Sequence, residues 1–403
     1  MAGIGGRRWA KFTKYLLQKK VDVHIIAAKN FGKNISAWHK DIEQIEIENR
    51  VTYFKSNYPA YLGIVPKSVV QKIGYRIALF YVKIKIKGNY FDKSAHCRNE
   101  LLKAVEIQIN KGYNNVLISV GPFRYAAYIA ELKLKYPLVN FILDVRDPWA
   151  NNKTSFGFET ISKKRLTFEY KLEENTIQKF DKITAVASDI NQYFIEKYGQ
   201  KNDKFYTIHN GFDKQDIMLT VNDTKNNEIK FVFAGTFYNK AIKYVELLVF
   251  FLNQLKTNNP ELYKLLSFNF YGTVPNVFYK IIEKESSIHF FGEKPLNEIH
   301  QIVNNANGAM LFLTDDISYS FSTKFLEYLA LRKPIIVFSN DGITGKFVEE
   351  NGIGYSITKE NIETKFLTIC NKILNKENMF NETFDINNFS VEKLCNKIKE
   401  ILI

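Results

Sequence analysis

Short runs rich in β-branched, aromatic and aliphatic residues alternate with longer amphipathic stretches along most of this chain, and that alternation admits few folds. Parallel strands need a crossover of a dozen or more residues between them, usually a helix. Strands buried under helices on both faces then read as mostly apolar runs rather than as alternating ones. The runs 21–28, 115–120, 141–145, 182–187 and 206–209 have this character and are assigned to a first sheet. A polar stretch at 220–228 reads as a linker. A second series follows at 230–234, 268–271, 288–291, 309–313 and 335–339, with helical segments between its members. The reading is an α/β protein of two similar domains, 1–215 and 216–385. A final segment, 386–403, carries a helix over 391–402 that follows the second sheet and is free to pack on either domain, including back on the first. The length of 403 residues, against a norm of roughly 100 to 200 per domain, suits two or three domains.

Charge is concentrated at one end. The chain carries a formal +14, and residues 1–90 hold seventeen Lys or Arg against five Asp or Glu, so nearly all the surplus lies in the first quarter. From 51 to 90 there are seven basic residues, no acidic ones, and aromatics that include Tyr53, Phe54, Tyr58, Tyr61, Tyr75, Phe80 and Tyr81. Such a surface attracts anionic partners. Pro66 is a candidate helix start, after which Ile73, Ile77, Phe80, Tyr81 and Ile84 recur at helical spacing beside a stripe of Lys72, Arg76, Lys83 and Lys87. Three readings fit that stripe: packing on its own domain with solvated lysines, contact with an anionic membrane surface, and, as the weakest, nucleic acid. No apolar run approaches the ~20 residues of a spanning helix. Three widely spaced cysteines, Cys97, Cys370 and Cys395, suit a reducing compartment better than a disulfide framework, so the expectation is a cytoplasmic protein.

Five segments carry possible chemistry. Gly3-Ile4-Gly5-Gly6-Arg7-Arg8 precedes an amphipathic helix over 9–19, and a glycine-rich turn at a helix start lets backbone N–H groups approach a phosphate. Asp144-Val145-Arg146-Asp147-Pro148-Trp149 closes the 141–145 run, at a strand end where ligands of open α/β sheets bind. Asp147 is a candidate to accept a proton, and Arg146 to bind an anion or orient Asp147, with a structural ion pair as the competing reading. Ile208-His209-Asn210-Gly211-Phe212-Asp213 holds an Asn-Gly turn with hinge chemistry. Phe233-Ala234-Gly235-Thr236-Phe237-Tyr238-Asn239-Lys240 is again strand, glycine and helix start, with Lys240 able to neutralise a phosphate. In Ser322-Thr323-Lys324-Phe325-Leu326-Glu327-Tyr328-Leu329-Ala330, Ser322 or Thr323 can cap a helix whose free amides suit a diphosphate. Lys324 adds charge there, and Glu327, one turn on, suits a ribose diol.

Taken in order, these segments resemble those of the GT-B fold glycosyltransferases, most closely the large retaining group called family four, and the resemblance covers essentially the whole chain. Residues 322–330 followed by Lys333-Pro334-Ile335-Ile336 are similar to the family's P-S-K-x-x-E-Y-L-A-x-G-K-P-x-I signature, with Ser322, Thr323 and Arg332 replacing its first proline, its serine and its glycine. Residues 144–149 look like the D-x-R-D-P-W segment of bacterial surface-polysaccharide transferases, residues 210–213 like N-G-x-D, and Gly235-Thr236-Phe237-Tyr238 like G-T-x-Y. The resemblance implies two Rossmann-like domains facing a cleft, with a nucleotide sugar on the second domain and a lipid-linked or polysaccharide acceptor on the first. It implies that Glu327 holds the ribose, and that Lys240, Lys324 and the amides from Ser322 and Thr323 hold the diphosphate. Gly235, Thr236, Gly272 and Gly292 belong to the same donor site, and Gly5 and Gly6 lie against the donor's phosphates and anomeric carbon. Leaving-group charge then falls to fixed cations and dipoles, with no metal or other cofactor and with retention of configuration.

The sequence also departs from the family pattern. The position of the family's first glutamate is Tyr319, and the arginine often found after the second domain's opening glycine is Thr236. The resemblance implies a strand before the glycine turn, at the centre of the first sheet, whereas here only Met1 and Ala2 precede the first glycine. The expectation is therefore a natural start upstream, with Met1 internal or misassigned, and an intact mass of 46.9 kDa for the native protein would overturn it. The functional expectation is a glycosyltransferase of cell-surface glycan synthesis, such as lipopolysaccharide, on the inner membrane face. The alternatives are a nucleotide-sugar epimerase of the same fold and an inactive basic scaffold.

Overall fold

The computed structural model describes residues 4–29, 50–152, 157–217, 228–314, 319–340 and 342–403. The chain divides into two compact units, one of Met1–His209 with Leu394–Ile403 and the other of Asn210–Lys393. The division falls inside the His209–Asn210 step of the predicted hinge. The predicted linker at 220–228 lies almost wholly outside the described residues.

In the first unit the elements run α1 (Ile4–Gln18), β1 (Ile25–Ala28), β2 (Val51–Phe54), α2 (Val69–Lys85), α3 (Arg98–Asn110), β3 (Asn115–Val120), α4 (Arg124–Lys135), β4 (Asn140–Val145), α5 (Lys163–Lys179), β5 (Lys182–Ala185), α6 (Ser188–Tyr198) and β6 (Phe205–Thr207). β3, β4, β5 and β6 form a four-stranded parallel sheet in chain order. Phe141, Ile142, Leu143 and Ile183 are fully enclosed between its helical layers, as parallel strands covered on both faces require.

Two expectations are corrected here. The run 21–28 was assigned to the same sheet as 115–120, but β1 instead pairs in parallel with β2, a strand inside the basic segment, as a separate two-stranded sheet with Ile25 opposite Val51. The residues of β1 and β2 are mostly half-buried, so their pattern gives less signal than that of β4. The glycine turn was expected to precede a helix beginning at Trp9. Helix α1 instead begins at Ile4, so Gly5 and Gly6 sit inside its first turn. Glycine disfavours helix by about 1 kcal/mol, but tertiary anchors override propensity. Here Arg8, Trp9 and Phe12 fix the helix to the sheet, with Trp9 Nε1 donating to Asp144 at 2.8 Å and Phe12 wholly buried.

The second unit runs β7 (Ile229–Thr236), α7 (Ile242–Asn258), α8 (Pro260–Leu265), β8 (Leu266–Thr273), α9 (Asn276–Ile282), β9 (Ile288–Phe290), α10 (Leu296–Asn304), β10 (Gly308–Phe312), α11 (Thr323–Ala330), β11 (Ile335–Phe338), α12 (Ile343–Glu350), β12 (Gly354–Ile357) and α13 (Ile362–Leu374). Its six parallel strands lie in the order β12-β11-β10-β7-β8-β9. Counted from β7 as the first, this is the doubly wound 3-2-1-4-5-6 order, and the winding reverses between β7 and β10. Strand parity sorts the core into two layers. Phe231, Phe233, Phe268, Phe270, Phe312 and Phe338 face α7 and α13, while Val232, Ala234, Ala309, Leu311 and Val337 face α11. The large layer is locked by ring contacts such as Phe312–Phe338 at 4.6 Å and Phe231–Phe268 at 5.2 Å.

A last helix, α14 (Val391–Leu402), buries Leu394, Cys395, Ile398 and Ile401 along one stripe. From Leu394 onward it belongs to the first unit, where Lys182 Nζ donates to Ile401 O at 2.6 Å and Cys395 Sγ lies 3.8 Å from Phe12 O.

Arg332, just past α11, has the left-handed backbone conformation that glycine favours, with φ of 50°. Its N–H donates to Leu329 O at 3.0 Å, and that of Lys333 to Tyr328 O at 3.1 Å, so the helix end is closed at the cost of a Cβ in a strained position. Arg332→Gly is expected to raise stability by up to about 1 kcal/mol, read as a higher urea midpoint. A lower midpoint would mean that the guanidinium's contacts with Glu382 outweigh the strain.

Candidate functional site

In the second unit the predicted donor residues converge on the carboxyl ends of the strands beside the switch point. β7 ends at Gly235 and Thr236, and β8 ends beside it with Gly272 opposite Gly235. Gly272 N donates to Gly292 O, just beyond β9, at 2.7 Å. The three glycines thus form a row of bare main chain across three strand ends. Two of them are required sterically. A Cβ on Gly272, where φ is 110°, would lie 2.2 Å from Gly235 O. A Cβ on Gly235, where φ is 132°, would lie 1.9 Å from Lys324 Cε.

That second contact joins two residues 89 positions apart in the chain. Ser322 caps α11 by accepting from Phe325 N at 3.2 Å, so of the two candidate caps it is Ser322 that serves, and Thr323 is the exposed first helical residue. From this first turn Lys324 crosses over Gly235. Its Nζ donates to Thr236 O at 3.2 Å and lies 5.2 Å from the Phe233 ring centre. Burial holds the Lys324 ammonium below its usual range, with Glu327 opposing that shift. Glu327 is one turn along the same helix, partly exposed. Tyr328, fully buried, accepts from Ala234 N at 3.0 Å and so pins α11 to β7. Lys240 is exposed in the short 3-10 turn Asn239–Ala241 that follows β7. Tyr271, in β8, stacks on Phe291, just past β9, at 5.0 Å beside the glycine row, an aromatic pair that sequence reasoning passed over because its members are twenty positions apart.

In the first unit the motif 144–149 divides into buried and accessible parts. Asp144 has no exposure. It accepts from Trp9 Nε1 at 2.8 Å, Ser119 Oγ at 2.7 Å and Thr184 Oγ1 at 2.8 Å, and lies 3.5 Å from Arg8 Nη2. Trp149 is also sealed, stacked on Phe123 and donating to Glu169 at 3.1 Å. Arg146 and Asp147, 3.9 Å apart and 26% and 34% exposed, are the accessible pair between them. Both the chemical reading and the ion-pair reading of these residues therefore describe the same atoms. Behind them Ala150 N donates to Glu173, a carboxyl that burial pushes up to about 7.

Arg8 is the residue that motif reasoning undervalued. Its side chain is 7% exposed, Nη2 donates to Ile208 O at 2.7 Å, and burial lowers its pKa against the pull of Asp144. An isolated Asp in the otherwise apolar 141–145 run was the available signal, since a carboxylate there needs a cation nearby. His209, which follows Ile208, places Nδ1 2.9 Å from Val186 O and is held below the usual imidazole range by burial. Among the described residues no three His, Cys, Asp or Glu side chains cluster as a metal site.

The chain matches no protein-family model and no curated protein. Solved structures do match along nearly its whole length. Anabaena HepE in complex with UDP and glucose aligns with a TM-score of 0.61 at 13% identity, over 99% of this chain and 96% of that one. A glycosyltransferase from Rickettsia africae aligns at 0.60 and 15%, over 99% and 94%. A putative UDP-N-acetylglucosamine 2-epimerase from Listeria monocytogenes aligns at 0.55 and 8%, over 98% and 91%. The chain has the fold of these proteins, two Rossmann-like units of the GT-B class.

Gly235→Ala is expected to cost about 1–3 kcal/mol, from a strained φ and the clash with Lys324. Adding Lys324→Ala should recover the steric part, so a double-mutant cycle on unfolding free energy should show coupling of about 0.5 kcal/mol or more. Additive effects would mean that the two residues do not pack as described.

Proposed function

We propose that the protein is a glycosyltransferase that moves a sugar from a nucleotide-diphosphate donor to a lipid-linked or polysaccharide acceptor, with retention at the anomeric carbon. The observation that carries this reading is the seating of Lys324 over Gly235 at the reversal point of the second sheet. That seating puts a cation, the capped start of α11 and the main chain of a glycine row at one strand edge. Charge at a helix start and bare amides suit a diphosphate. The fold shared with UDP-bound HepE supports the same placement of a nucleotide.

In this reading Lys324, Lys240 and the first amides of α11 hold the diphosphate, and Glu327 accepts from the ribose hydroxyls. The bond from the anomeric carbon to the diphosphate oxygen breaks, and the bond to the acceptor oxygen forms on the same face. The growing negative charge on the leaving diphosphate is met by fixed cations and dipoles, which cost no reorganisation during the step, and no metal enters the proposal. Asp147 positions the acceptor hydroxyl or takes its proton, Arg146 holds Asp147, and Gly5 and Gly6 belong to the reacting site through the family resemblance alone. The likeness to an epimerase favours one rival, which would consume the donor with no acceptor present.

A thermal-shift titration with UDP, GDP, CDP and ADP tests the donor half. One diphosphate is expected to stabilise the chain by about 2.7 kcal/mol at a hundredfold excess over Kd. Glu327→Ala should weaken it roughly tenfold or more, as loss of a charged hydrogen-bond acceptor predicts. Affinity should also fall as pH rises, because bound diphosphate favours the protonated Lys324, whose depressed pKa brings the loss to lower pH than for an ordinary lysine. Lys324→Arg should remove that pH dependence. No shift with any diphosphate would overturn the reading in favour of an inactive scaffold.

A further inference from the structure

Helix α2 lies in the acid-free segment 51–90, and the structure decides one alternative that the sequence left open. The apolar stripe does not pack on its own unit. Val69, Val70, Ile73, Ile77, Phe80 and Ile84 are 54–72% exposed, six large apolar side chains on one 17-residue helix. At about 100° per residue they fall within an arc of roughly 100°, with Val82 nearly opposite. Val82 is fully buried and, with Ile86 and Tyr90, forms the small cluster that holds the helix to its unit. Arg165 fastens the C-terminal end by donating to the carbonyls of Lys83, Ile86 and Gly88. The other end begins not at Pro66 but at Ser68, in a capping box with Gln71. The helix is thus anchored along one side and capped at its start, and its outward side is oily.

Cations border this face. Lys72, Arg76 and Lys83 run along one flank and Lys85 lies on the other, all exposed, and Lys87 follows the C-terminal end. A contiguous apolar strip of this size on a folded surface marks an interaction site. The charge decides between partners. With no acidic residue from 51 to 90, two copies meeting face to face would bring like charges together, whereas a surface of lipid phosphates matches the border and accepts the stripe. No helix among the described residues is long and apolar enough to cross a membrane, so the contact is one that lies along the surface.

We infer that α2 is an interfacial helix that inserts its stripe of Val69 to Ile84 into the headgroup–acyl boundary of an anionic bilayer, with Lys72, Arg76, Lys83 and Lys87 on the phosphates. The stripe provides the hold and the cations provide recruitment and selectivity. This inference stands on α2 alone and goes beyond the transferase reading, since vesicle binding is measured without any nucleotide.

The test is flotation of the full chain with phosphatidylcholine vesicles, with and without phosphatidylglycerol. The parent is expected to float with the anionic vesicles and to remain partly bound at high salt. Ile77→Ser/Phe80→Ser/Ile84→Ser keeps every cation and removes only exposed side chains, so its melting temperature should hold while its partitioning falls about tenfold or more. Lys72→Gln/Arg76→Gln/Lys83→Gln should lose the preference for anionic lipid, each cation accounting for about a fivefold change. Equal flotation of the serine variant and the parent would overturn the insertion. So would a parent that stays off all vesicles but self-associates in light scattering through the same three residues. Equal binding of the parent to neutral and anionic vesicles would overturn the part assigned to the cations.

Discussion

A carboxylate sealed inside a parallel sheet must draw its donors from the chain around it, and the first unit is organised by that need. Asp144 takes an indole from α1, a hydroxyl from β3 and a hydroxyl from β5, and it faces the guanidinium of Arg8. Removing one partner of such a pair leaves an uncompensated buried charge, which costs far more than the intact pair contributes. The arrangement therefore specifies more than it stabilises. It sets the rotation of α1 about its axis, aligns three neighbouring strands at one level, and leaves Arg146 and Asp147 at the rim just above. The same logic recurs one layer out, where Glu169 accepts from Asn89 N, Arg124 and Trp149, and holds the segment beyond β4 in place.

The second unit is built on shape rather than charge. A layer of phenylalanines fills one side of its sheet, and small or branched residues on the alternate positions let α11 come close on the other. That close approach brings Lys324 over β7, and it is possible only because residue 235 has no side chain. Core packing and candidate site are thus one construction: Tyr328 pins the helix by its hydroxyl, and Lys324, one turn earlier, is delivered to the strand end.

Much of this was legible in the residue order. All five strands predicted for the second unit are present within a few positions, because strands covered on both faces are mostly apolar. The 322–330 segment was legible as a capped helix with a cation and a carboxylate at fixed offsets, a pattern that a core helix also produces. β12 was passed over, since Gly354-Tyr355-Ser356-Ile357 has only half-buried side chains at its centre. β2 was hidden in a segment whose charge drew the eye away from its pairing. The direct packing of Lys324 on Gly235 and the choice of Arg8 as the partner of Asp144 were not legible, because each contact joins residues more than eighty positions apart; the lone Asp144 signalled only that some cation is needed. The stripe on α2 was seen, but helical spacing alone cannot say whether an oily face looks inward or outward. That is decided by which rows the neighbouring elements cover, and here Val82 and Ile86 are the ones covered.

The glycine row at the edge of the second sheet has a wider meaning for how such a surface persists. Where peptide groups rather than side chains form the floor, most of the alphabet has no say in it, and glycine is the one letter it demands. Ancestry can then rewrite the walls and the core while the floor is inherited as geometry. This chain and HepE, 13% identical, share the overall fold, and in this chain the floor is set by main chain while the residues that frame it are free to change.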